Sequence, residues 1–252
     1  MQQITSKKQL DAVAKQLKKQ PKFNATWNFL SHFFDTNDLF IKSSNLPEFR
    51  NNKQLIYRNY LTNCVTAIEI YFKHIIIENS GYWQKDGVDK LFKDRKISLI
   101  EALNFRKGAQ LKAEHLIVYS LSLKGIDAIQ VVMSALVGKD FFEELEAFQI
   151  SVKDDKKNKT TIKTIKDINK RWRADLVKLY ELRNKYVHDD FTQKLSDEYI
   201  KSISPLMLLF AEVLTRYLGA NFLKTNFSFH FAFPDKQPIE RKNNIKRYDL
   251  SR

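Results

Sequence analysis

Residues 181–190 read ELRNKYVHDD, and three of them carry side chains that can do chemistry together. Arg183 offers a planar guanidinium suited to gripping a carboxylate or a phosphate through two parallel hydrogen bonds. His188 offers an imidazole whose ordinary pKa of about 6.5 suits proton transfer near neutrality. Asn184 and His188 are four apart, so on a helix they stack on one flank beside the arginine. Arginine, amide and imidazole then converge on one small region.

Arg183 also stands where the pattern asks for a hydrophobic residue. With Trp172 at zero on a helical wheel of about 100° per residue, Leu176, Leu179, Tyr180, Tyr186 and Val187 fall within roughly 80° of it. Arg183 lies near the centre of that arc. A desolvated guanidinium is costly unless a carboxylate, phosphate or set of carbonyls compensates it, so something specific must face Arg183. Glu69 is a suitable partner, at the rim of an apolar face made by Val65, Phe72 and Ile76. A structural ion pair would satisfy the arginine alone; the flanking amide and imidazole make the region a candidate site. The other histidines, His32, His74, His115 and His230, have no comparable company.

The elements that must position these residues read as helices. The chain of 252 residues is 43% hydrophobic, ample for a core, and its six Gly and five Pro leave few breaks for turns. Residues 5–19 predict a basic helix around Leu10, Val13 and Leu17. A second amphipathic stretch covers 24–34, followed by polar DTND and a turn at Asn45 and Pro47. From about 54 to 78, Leu61, Cys64, Val65, Ile68, Phe72, Ile75 and Ile76 share one face of a core helix. Residues 85–112 predict one or two helices, and Gly108, Gly125 and Gly138 mark the ends of two short ones at 110–123 and 126–137. The charged run 151–161 reads as a loop. One long helix is expected from 161 to 188, and another from 196 to 218 that Pro205 should kink or divide. NFSFHFAFP at 226–234 alternates like a strand or extended edge, and a basic tail follows.

R-N-K-Y-V-H at 183–188 resembles the R-x(4–6)-H motif of the HEPN superfamily, in its form with Asn directly after Arg. Glu69-Ile-Tyr-Phe-Lys73 is similar to the E-x-x-x-K/R element in an early helix of several HEPN groups. The resemblance covers roughly 52–220. It implies an all-α bundle of HEPN type, here with a short extended Phe-rich segment near the C-terminus. The expected division is an N-terminal helical extension at 1–50, the HEPN-like core at 51–220, and the Phe-rich segment and basic tail at 221–252.

The resemblance further implies a metal-independent endoribonuclease: the RNA 2′-hydroxyl attacks the adjacent phosphate and leaves a 2′,3′-cyclic phosphate. In that reading His188 acts as general base or acid, and Arg183 holds the phosphate and stabilises its transition state. Asn184 bonds the phosphate or orients the imidazole, Glu69 positions Arg183, and Lys73 adds a second phosphate contact. A homodimer with one composite cleft, control by an antitoxin or other regulatory partner, and a role as a toxin or antiphage defence effector are also implied. HEPN toxins paired with nucleotidyltransferase antitoxins usually show R-x4-H-x-Y; Asp190 occupies the tyrosine position, so modification there is not expected.

Lys and Arg outnumber Asp and Glu by 43 to 29, a formal charge of +14, which favours a polyanionic partner. Residues 151–173 hold nine basic residues against three acidic ones, and 7–22 six against one; such faces suit RNA, although solvation alone explains many surface lysines. The aromatic residues Phe72, Trp172 and Phe210 sit on apolar faces and read as core. The single cysteine, Cys64, excludes an intramolecular disulfide and a multi-cysteine zinc site and favours a reducing cytoplasm. No metal or cofactor is expected, nor secretion or membrane insertion. P-loop, H-E-x-x-H and G-x-S-x-G patterns are lacking. The alternatives are a catalytically inactive HEPN-like module that binds RNA or a protein partner, and a basic DNA-binding protein.

Overall fold

The structure is a computed structural model that describes residues 2–3, 24–92, 118, 121, 123–154, 159–188, 193–223 and 229–230. The predicted helix at 5–19, most of the one at 110–123, residues 93–112, and most of the Phe-rich stretch and tail lie outside the described residues. Within them the chain is mostly helical with little sheet.

Helices α1 (Asn24–Ser44) and α2 (Phe49–Glu78) form a hairpin across the expected turn at Asn45 and Pro47. α1 runs on through the polar DTND to Ser44, with Thr36 and Asn37 facing inward and Tyr60 donating to Asn37 Oδ1 at 3.2 Å. α2 begins a turn earlier than expected, and Leu61, Cys64, Val65, Ile68, Phe72, Ile75 and Ile76 are all buried, as the spacing predicts. The Glu78 carboxylate at the end of α2 accepts from the Ala25 N–H at 2.9 Å, so the last turn of one helix caps the first turn of the other.

Helix α3 (Lys85–Phe92) packs on α4 (Ile126–Val137). At Gly87 a Cβ would overlap the Ala135 carbonyl, so the bare backbone sets how closely the two approach. α4 starts after Gly125 and ends at Gly138, whose φ of 79° is the left-handed cap a glycine supplies. α5 (Phe141–Ala147) comes next, capped by Asp140, whose side chain accepts from the Glu143 N–H at 2.9 Å.

The stretch expected to be a loop is instead an antiparallel hairpin, β2 (Gln149–Asp154) with β3 (Lys159–Thr164). Ile150 is buried and Val152 packs against the core on one face of it, the period-two signal that the flanking lysines obscure. The long helix expected from 161 is likewise broken. Thr164 and Asp167 form a capping box that starts a single helical turn, α6 (Ile165–Ile168). Asn169 then leaves helical geometry, its side chain accepting from the Arg171 N–H at 2.9 Å, and α7 (Trp172–His188) starts anew.

α8 (Asp197–Leu218) is capped by Ser196 and continues undivided through Pro205. Its residues Leu206 to Thr215 are buried on every side, which places it at the centre of the bundle. The span Asp197–Phe222 is long and apolar enough to cross a membrane by length and composition, and 89% of its apolar window is buried inside the protein. Around it Phe72, Trp172 and Phe210 pack as core aromatics, with Trp172 stacked on Phe210 at 6.1 Å between centroids. Cys64 is buried in the same core. A buried hydroxyl cluster ties three elements: Thr26 of α1, Tyr71 of α2 and Thr215 of α8 lie 2.9–3.0 Å apart. Near the ends of the chain, β4 (Phe229–His230) pairs in parallel with β1 (Gln2–Gln3), an extended piece of the Phe-rich segment.

Candidate functional site

The site is built where α7 crosses α2. Trp172, Leu176, Leu179, Tyr180 and Leu182 are buried, and Arg183 is buried among them at 9% exposure. The predicted arc ends one residue too late: Tyr186 is half-buried and Val187 is 53% exposed, because the last turn of α7 runs past the edge of the core.

Arg183 is held from two sides. Its Nη2 pairs with Glu69 Oε1, and its Nη1 donates to Asn184 Oδ1 at 2.9 Å. The two ion-pair side chains retain only 11% and 19% exposure, so the pair sits in a largely desolvated setting where each charge depends on the other. Burial pushes the Glu69 carboxyl above its ordinary range; the charges of Arg183, Lys73 and Lys124 oppose that shift without cancelling it. Glu69, Lys73, Arg183 and Asn184 are therefore brought together. Asn184 turns its carbonyl oxygen to the arginine itself. α7 ends at His188, and the His188 side chain lies outside the described residues.

Sequence reasoning missed two neighbours. Tyr180, one turn before Arg183, is buried, and its hydroxyl finds no hydrogen-bond partner among the described residues. Burial and the Glu69 charge hold its pKa well above the ordinary phenol value. Tyr180 reads as one more apolar-face aromatic in the sequence, so only its proximity to the ion pair distinguishes it. Lys124 is 55 residues from Glu69 in sequence, and no local pattern connects them.

α2 also anchors the chain just ahead of α8. Gln54 exchanges two hydrogen bonds with the Leu195 backbone, at 2.8 and 3.0 Å. The Tyr186 hydroxyl donates to the Gln193 carbonyl at 2.7 Å, and its ring lies 4.8 Å from the Arg58 guanidinium carbon. The end of α7 is thus pinned to the helix that carries Glu69.

A cleft of about 710 Å³ runs along the outward face of α7 and takes in Lys170, Arg171, Arg173, Lys178, Glu181 and Lys185. On the wheel this face is roughly opposite Arg183. Among the described residues, no three His, Cys, Asp or Glu side chains group so as to hold a metal ion. No protein-family model, curated protein or solved structure matches the chain.

Proposed function

We propose that the protein is a metal-independent endoribonuclease of HEPN type that works as a homodimer and serves as a toxin or antiphage defence effector. The observation that carries this reading is the grip on Arg183: a guanidinium fixed by Glu69 and Asn184 on the closing turns of the helix that ends at His188. A preorganised guanidinium stabilises charge that develops on a phosphoryl group without having to reorganise during the reaction. Arg183 holds the phosphate, His188 moves the proton between the 2′-hydroxyl and the leaving oxygen, and Glu69 sets the arginine's orientation. Lys73, one turn along α2 from Glu69, contributes positive charge to the same region. Val187, exposed one turn beyond Arg183 on the same face, is a suitable contact for a second subunit that completes the cleft.

A second reading is favoured by one observation: the guanidinium already has two partners within its own chain and little exposure. A HEPN-like module that uses Arg183 structurally and binds RNA or a protein without cutting would look the same there. Incubation of RNA with the purified protein in EDTA separates the two. The expected result is cleavage to 2′,3′-cyclic phosphate ends that persists in EDTA and falls by about 100-fold or more in Arg183→Ala and in His188→Ala. Cleavage that requires metal, or that survives both substitutions, removes the nuclease assignment.

A further inference from the structure

The cleft on the outward face of α7 is lined by five cations, Lys170, Arg171, Arg173, Lys178 and Lys185, against two acids, Glu146 and Glu181. Glu146 is already paired with Lys166. Arg171, Lys178 and Lys185 are exposed and recur every seven residues. Seven residues are two helical turns, so Lys178 and Lys185 share one stripe of α7, and Arg171, in the turn just before its first residue, extends it to about 21 Å, the length of about six stacked nucleotides. Aromatic rings hold two of the charged heads in place: the Lys178 ammonium lies 4.7 Å from the centre of the Tyr199 ring, and beside the stripe the Arg173 guanidinium carbon lies 4.9 Å from that of Phe142. Val177 and Leu182 supply an apolar floor. The stripe ends three residues before His188, where the helix stops.

We propose that this cleft is the track on which an RNA strand lies along α7, with its phosphodiester backbone held by Arg171, Lys178 and Lys185, and that it leads the strand to the His188 end of the helix. The inference rests on the endoribonuclease reading, from which the choice of RNA over an acidic protein follows. Phosphate contacts of this kind fix register without reading sequence, so the track binds single strands of any base composition.

Binding of a fluorescent single-stranded RNA is measured by anisotropy on the full chain carrying His188→Ala, so that cleavage does not interfere. The track variant combines Arg171→Gln, Lys178→Gln and Lys185→Gln; a control combines Lys85→Gln, Lys90→Gln and Lys139→Gln, exposed cations outside the cleft. At about 0.15 M salt the track variant is expected to weaken binding on the order of 50-fold, about fourfold for each single substitution, and to lower the slope of log affinity against log salt by about two. The control is expected to weaken it by less than about threefold. Equal loss in both variants, or none in the track variant, overturns the proposal. So does an affinity for poly-glutamate that matches RNA and disappears with the same substitutions. The single variants keep the test open if the triple variant fails to fold. In the cleaving protein the track variant is expected to raise KM and leave kcat unchanged. Track-dependent binding without any cleavage by the wild type overturns the nuclease reading and supports the RNA track; cleavage indifferent to the track variant overturns the track alone.

Discussion

Arg183 and Glu69 answer for each other because neither has enough water to stand alone. Removing the carboxylate strands a guanidinium among Leu179, Tyr180 and Leu182, whereas removing the arginine leaves a carboxyl whose pKa burial already raises and which can take up a proton. The two deletions are therefore unequal. Glu69→Ala is expected to cost about 3 kcal/mol in urea unfolding, and Arg183→Ala measurably less. The double variant should cost less than the sum, with a coupling of about 1–2 kcal/mol. A coupling of zero would show that the pair is formed without mutual dependence. Asn184 matters differently: by accepting from Nη1 it fixes the plane of the guanidinium, and that plane determines the two directions in which the remaining donors point.

Helix termini carry the second set of charges. Glu78, half-buried at the end of α2, bonds the first turn of α1, and burial raises its carboxyl from 4.5 to about 7 despite that hydrogen bond. Between those two values the folded chain holds a proton that the unfolded chain has released, so stability falls as pH rises through this window and levels off above about 7. Glu78→Gln keeps an oxygen for the Ala25 N–H and removes the titration. It is expected to gain about 1–2 kcal/mol at pH 8, once solvent screening of the half-buried group is allowed for, with the advantage fading towards pH 4.5. Thermal melts across that range check it: a gap that stays constant with pH contradicts the assignment. The same scale shows what the sequence could convey. The core face of α2 and the glycine limits of α4 were readable because a single periodicity or a single backbone geometry dictates them. The hairpin β2–β3 was not, because the alternation in β2 offers only two inward apolar residues, Ile150 and Val152, before the charged run that follows, while the isoleucines at 162, 165 and 168 imitate a helical spacing across the break at Asn169. In α1 the polar Thr36 and Asn37 interrupt the apolar pattern of the sequence, and the buried Tyr60 hydroxyl that bonds Asn37 accounts for their inward position. Of the site, the pairing of Arg183 with Glu69 was legible because a lone charge on an apolar face demands a counter-charge. Lys124 and the outward cleft depend on tertiary approach and left no local trace.

For the molecule as a whole, the proposed reading includes a homodimer. Val187 is the exposed apolar residue on the Arg183 face of α7, and Val187→Asp would place a charge in a subunit contact without touching the core. Light scattering is expected to show a dimer for the wild type and a monomer for Val187→Asp, with RNA cleavage lost and unfolding free energy unchanged within about 0.5 kcal/mol. A monomeric wild type that still cleaves would contradict the composite cleft. Measuring such exchanges is helped by the single Cys64. Its thiol has no exposure in the folded core, and burial pushes its pKa up to about 12, so the native protein presents a soluble disulfide reagent with neither access nor thiolate. The rate at which that reagent consumes the thiol then reports how often the centre of α2 opens, a built-in clock for the bundle's breathing. For the same reason a cysteine introduced at the surface would react essentially alone, which makes the wild-type chain its own background for spin or fluorescent rulers set along α7.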